Sequence, residues 1–156
     1  MKKLTAFLVS GLLLLGTAAC ENAAKSSANA PNNTTESPKA PDAKTVQNDK
    51  ADATGDVRRS QLNSDIRARE QRNNVTGGDA QRANGDLESE VRSKLEANIP
   101  AGQLTIAAKD GAVTVSGTVP TSEQLAKIEP LAKEIKGVKT VTNKAVVAPA
   151  TNNNNK

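Results

Sequence analysis

The chain has no histidine, tryptophan or tyrosine, a single phenylalanine at Phe7 and a single cysteine at Cys20. Each absence closes a branch of chemistry. Without histidine or a spare thiol, neither a Ser-His nor a Cys-His catalytic pair can be assembled, and zinc loses its two commonest ligands. With no aromatic ring beyond Phe7, nucleic-acid bases have no stacking platform and a quaternary ammonium group has no cage. One cysteine cannot close an intrachain disulfide, so a folded domain must stand on its aliphatic core. The formal charge of +4 falls to +2 when Lys2 and Lys3 are set aside. That is too little for a nucleic-acid footprint. Carboxylates are present, and a pair of them could serve glycoside chemistry, but their spacing does not separate such a pair from solvated surface. The expectation is a non-enzymatic protein with no cofactor, no metal site and no nucleic-acid partner.

What is present begins with a leader-like start. Lys2 and Lys3 precede Leu4 to Leu15, an apolar run interrupted only by Thr5, Ser10 and Gly11, and Gly16-Thr17-Ala18-Ala19 places small residues before Cys20. A bilayer core requires about 20 apolar residues, so this shorter run reads as the h-region of a cleaved export leader. The stretch resembles a bacterial lipobox, with Thr17 where that family more often has Leu. The resemblance implies that residues 1–19 are a lipoprotein signal peptide. It also implies a diacylglyceryl thioether on Cys20, cleavage before that residue, and palmitate-type acylation of the freed amine. Several acyl chains anchor far more firmly than one, because each buried methylene adds about 0.8 kcal/mol. An ordinary secretory leader followed by a coincidental cysteine is the competing reading. Under the lipobox reading the chain is anchored in the cell envelope and faces the periplasm. Glu21 follows the cysteine rather than the Asp that retains lipoproteins in the inner membrane of enteric bacteria, which favours the outer membrane.

Residues 20–55 are rich in Ala, Asn, Ser, Thr, Pro and Lys, with Val46 the only large apolar residue. Such a segment buries too little to offset chain entropy and is expected to form a disordered tether; the tail at 149–156 reads the same way. Residues 56–85 form an Arg-rich linker. Val57, Leu62 and Ile66 make a sparse apolar stripe among Arg58, Arg59, Arg67, Arg69 and Arg72, consistent with a helix over about 60–72 that stops at Asn73-Asn74 and Gly77-Gly78. One reading is a solvated, partly helical linker. The other is a basic strip lying on anionic headgroups.

Regular apolar periodicity appears over residues 86–148. Leu87, Val91 and Leu95 recur at helical spacing, with Asp86, Glu88 and Glu90 in the first turn where the helix dipole favours acids. Pro100 ends this helix with Ile99 packed beneath it. Leu104, Ile106 and Ala108 then alternate, Asp110-Gly111 supplies a type I′ turn, and Val113, Val115, Gly117 and Val119 alternate in their turn. That turn pairs Ala108 with Val113, Ile106 with Val115 and Leu104 with Gly117, all on one face. Thr121 reads as an N-cap with Gln124 completing a capping box. Leu125, Ile128, Ala132 and Ile135 form the buried stripe of the helix that follows, and Gly137 its C-cap. Pro130 is expected to kink or break it. A last strand over about Lys139 to Val147 turns Val141, Asn143, Ala145 and Val147 to one face. The fold class predicted is α+β, a small α-β-β-α-β module. It has a three-stranded mixed sheet in the order 2-1-3, with both helices on one face and a right-handed crossover between the last two strands.

Residues 86–148 resemble a single BON domain, the family named for bacterial osmotic-stress and nodulation proteins. The residues that carry the likeness are Leu87, Val91 and Leu95 of the first helix, the hairpin from Lys109 to Val119, and the ending Gly137-Val138-Lys139-Thr140-Val141-Thr142-Asn143. The resemblance implies a non-catalytic periplasmic or envelope protein that binds phospholipid or attaches to membranes under envelope or osmotic stress. Lys133, Lys136 and Lys139 gather near the end of the second helix and are the candidate contacts to anionic phospholipid. They also have a plainer role, since lysines at a helix C-terminus complement its dipole. Expected partners are the membrane, through acyl chains on Cys20, and anionic phospholipid or envelope proteins. A different reading is a periplasmic chaperone-like or spacer protein that contacts protein clients.

Overall fold

The computed structural model describes residues 23–76 and 82–151. The elements among them are β1 (Ala24–Lys25), α1 (Ala43–Thr54), α2 (Asp56–Thr76), α3 (Asn84–Asn98), β2 (Gln103–Lys109), β3 (Ala112–Val119), α4 (Ser122–Lys133) and β4 (Thr140–Val147). The export leader, Cys20, Gly77-Gly78 and the end of the tail lie outside the described residues.

The hairpin forms as its turn chemistry requires. Asp110 and Gly111 both have positive φ, 52° and 88°, the signature of a type I′ turn whose twist suits the flanking strands. β2 and β3 pair antiparallel with Leu104 opposite Gly117, Ile106 opposite Val115 and Ala108 opposite Val113, the register read from the sequence. Leu87, Val91, Leu95 and Ile99 pack on the inner face of this hairpin together with Ile128, Ala132 and Ile135. α3 and α4 therefore share one side of the sheet. Ile99, at the end of α3, is buried in the same core, as expected.

The sheet itself differs from the expected three strands in the order 2-1-3. Among the described residues it has four strands in the order β1-β2-β3-β4, and β4 runs parallel to β3, from Ala112 opposite Thr140 to Val119 opposite Val147. The strand that follows α4 cannot lie beside β2, because that edge is already taken. Ala24 and Lys25 pair with Ile106 and Thr105, Ser26 Oγ accepts from the Leu104 amide at 2.9 Å, and Glu88 Oε1 accepts from the Ala108 amide at 2.8 Å.

Among the described residues there are four helices, where two were expected in the module and a further one over about 60–72 in the Arg-rich linker. α1 lies within the stretch expected to be a disordered tether. Asp42 caps it, its Oδ1 accepting from the Thr45 amide at 2.9 Å and its Oδ2 from Thr45 Oγ1 at 2.7 Å. The segment between β1 and α1 crosses the outer face of the sheet, where Thr105 Oγ1 donates to the Pro31 carbonyl, and α1 itself is tied to the same strand by Gln103 Nε2 donating to Asp49 Oδ2 at 2.9 Å. α2 runs through Asn73-Asn74 rather than stopping there. It packs against α3, which leaves α3 buried on both sides. Glu88, Glu90, Ser93 and Glu96 are therefore inside, along with the apolar stripe.

α4 starts at the Thr121 cap, whose Oγ1 accepts from the Gln124 amide at 3.3 Å. Gln124 does not complete a capping box; its side chain turns to the Pro100 carbonyl at 3.3 Å. Pro130 does not break the helix, which continues to Lys133. Ile135 is buried in the turn beyond the helix, and Gly137 takes φ 92°.

Candidate functional site

The three lysines singled out in the sequence have different surroundings. Lys133, on the last turn of α4, is half-exposed and pairs with Glu129 at 2.6 Å. Its neighbour Glu134 binds Lys94 at 2.6 Å, so the end of α4 alternates in sign rather than forming a basic cluster. Lys136 is exposed in the turn that follows. Lys139 is held most firmly. Its amide donates to the Gly111 carbonyl at 2.8 Å, and its Nζ donates to the Asp110 carbonyl at 3.1 Å. The aliphatic stem crosses Gly111 so closely that a Cβ there would lie 2.9 Å from Lys139 Cγ.

Around Lys139 three loops converge. The Asp110 amide donates to Asn84 Oδ1 at 2.9 Å, which ties the hairpin tip to the start of α3. Gly137 brings the chain past Arg82, and a Cβ at 137 would lie 2.9 Å from Arg82 Cδ. Arg82, Ala83, Asn84, Asp110, Gly111, Gly137 and Lys139 line a cleft of about 480 Å³. Beneath it lies a fully buried ion pair, Arg82 Nη1 to Glu90 Oε2 at 2.7 Å. Burial pushes the Glu90 carboxyl above its ordinary range, against the opposing pull of Arg82.

Lys139 was legible as a candidate, but Arg82, Asn84 and Glu90 were not. Arg82 precedes the apolar periodicity and sits among polar residues, and Glu90 reads as an ordinary first-turn acid. Only the packing of α2 against α3 puts Glu90 inside. The arginines of α2 are committed in the same way. Arg58 binds Glu96 at 2.6 Å, and Arg69 binds Asp86 at 2.6 Å and Asp65 at 3.1 Å. These carboxylates hold the Arg58 and Arg69 guanidiniums above their ordinary range, for Arg58 chiefly through the Glu96 bond and for Arg69 against the cost of burial. Much of the supposed basic strip is thus a helix–helix interface.

Among the described residues no group of three or more His, Cys, Asp or Glu side chains could hold a metal ion, and no helix is long and apolar enough to cross a membrane. Cys20 lies outside those residues. No curated protein and no solved structure matches the chain. Residues 83–149, which supply all but Arg82 of the cleft lining, match the family model described as the BON domain.

Proposed function

We propose that this chain is a non-catalytic envelope lipoprotein, moored by acyl chains on Cys20, whose BON domain associates with anionic phospholipid at a membrane surface facing the periplasm, the outer membrane being favoured. The observation that carries the lipid reading is the BON match over 83–149 together with the cleft it builds around Lys139. Lys136 and Lys139 face the headgroups, each basic residue near an anionic surface contributing about 1 kcal/mol. Lys133 contributes less because Glu129 already engages it.

The test is co-sedimentation of the chain from residue 23 onward with phosphatidylglycerol or phosphatidylcholine vesicles. Retaining α2 matters, because it covers one side of α3. Binding to the anionic vesicles alone, lost with Lys136→Ala and Lys139→Ala and only weakened with Lys133→Ala, is the expected result. Failure of the unsubstituted protein to bind either vesicle sinks the lipid reading and leaves the chaperone-like or spacer alternative, in which the domain meets protein clients. That alternative draws support from the open strand edge of β4. Mass measurement of the mature N-terminus tests the anchor separately: a lipid-bearing Cys20 is expected, and a bare thiol overturns it.

A further inference from the structure

The two edges of the sheet are finished differently. On β2 the outward amides of Leu104 and Ala108 are taken by Ser26 and Glu88, and β1 lies opposite Ile106. On β4 the amides of Thr140 and Ala148 bond back to the carbonyls of Gly111 and Val119, at 3.4 and 3.0 Å. Donors alternate along a strand, so those of Val141, Asn143, Ala145 and Val147 turn away from β3. β4 is the last strand of the sheet on that side. Asn143 Oδ1 takes the Ala145 amide at 2.9 Å, which leaves the amides of Val141, Asn143 and Val147 facing solvent among the described residues.

A second copy of the chain is a poor occupant of this edge. Two antiparallel β4 strands that use all four outward positions set Val141 against Val147 and Asn143 against Ala145. Lys144 then falls opposite Lys144, at the closest cross-strand approach, where like charges repel. Lys144 is exposed and engaged in no ion pair among the described residues. Two positions on and on the same face, Val146 is 45% exposed. The same features that disfavour self-pairing favour a strand of opposite charge.

We propose that the β4 edge docks an extended acidic segment of another protein as a fifth strand, with a carboxylate opposite Lys144 and an apolar side chain against Val146. Main-chain bonds supply the affinity and the alternate side chains supply the choice of partner. This proposal does not rest on the lipid reading: it uses Lys144 and the outward amides of β4, whereas that reading uses Lys136 and Lys139, the latter just ahead of the strand.

The probes are two synthetic peptides of alternating Thr and Val, matched in length to β4, one with a central Glu and the other with a central Lys. Each is titrated into the isotope-labelled chain from residue 23 onward and followed by amide resonances. The Glu peptide is expected to shift and protect the amides of Val141, Asn143 and Val147, and the Lys peptide to bind about tenfold more weakly. Lys144→Glu, an exposed substitution, is expected to invert that preference. Equal binding of both peptides, absence of binding by either, or self-association of the peptide-free chain through β4 would each overturn the proposal.

Discussion

Gly117 has φ 123°, and a Cβ placed on it would lie 2.0 Å from the Gln103 carbonyl oxygen. Neither conformation nor space admits a side chain, so its role is close packing of β3 on β2 rather than ligand contact. Gly117→Ala is expected to cost at least about 3 kcal/mol in a urea unfolding series. Gly85 supplies the contrast: it is helical with nothing within 4 Å of the same imaginary atom, and Gly85→Ala is expected to add about 0.5 kcal/mol. The buried Arg82–Glu90 pair poses a different question, because Glu90 Oε1 has no hydrogen-bond partner among the described residues. Desolvation outweighs Arg82, and Glu70 and Asp86 add like charge, so the folded pKa of Glu90 lies above its ordinary value of 4.5. The folded chain then holds this proton more tightly than the unfolded chain. Its favourable contribution is present below the unfolded value and is lost as pH rises through the folded one. Glu90→Gln is therefore expected to match the native protein in acid and to exceed its stability at neutral pH, measured by denaturation at both. A variant clearly weaker than the native protein at neutral pH shows that the Arg82 attraction wins instead. Arg82→Ala strands a buried carboxylate and is expected to cost about 3–5 kcal/mol at neutral pH, shrinking in acid as Glu90 takes up its proton.

α4 is the element whose sequence and structure disagree most locally. Pro130 lies inside it, lacks an amide and crowds the Ala126 carbonyl, yet the helix runs on to Lys133. The ring is exposed, so it repays little of that loss through burial. Pro130→Ala is expected to raise stability by up to about 3 kcal/mol, seen as a higher urea midpoint with an unchanged slope. An unchanged midpoint shows that the missing bond was already replaced by other contacts. The β2–β3 hairpin was fully legible because turn type, alternation and register all reside in seventeen consecutive residues, from Gln103 to Val119. The first half of α3 and the Thr121 cap were legible for the same local reason. β1 was not, since two residues in a polar stretch carry no period. The strand order was misread because β2's free edge is closed by Ser26 and Glu88, both distant from it in sequence. The cleft was half legible: Lys139 lies within a recognisable Gly-Val-x-x-Val ending, but Arg82 and Asn84 reach it only through the placement of α3.

At the scale of the whole molecule, what was least readable is how α2 is attached. Leu62 is its only fully buried apolar side chain among the described residues, too little on its own to hold a helix this polar. The rest is charge: Arg58 to Glu96 at 2.6 Å, Arg69 to Asp86 at 2.6 Å, and Arg92 of α3 returning to Asp65 at 3.3 Å, with Ser93 Oγ donating to Asp65 at 3.0 Å. A network of this kind is stronger than isolated surface pairs, but several of its members remain partly open to solvent and hence to salt. Raising ionic strength from about 0.1 M to 1 M shortens the screening length from about 10 Å to about 3 Å. The sheet and the α3–α4 core depend on apolar contacts that salt does not weaken. Amide hydrogen exchange should therefore quicken through α2 at high salt while β2 and β3 keep their protection. Exchange that stays slow in α2 would mean that Leu62 and the half-buried Ile66 hold it without the ion pairs. Uniform acceleration across both regions would mean that α2 is part of the cooperative core, so that charge rather than apolar burial limits the stability of the whole fold.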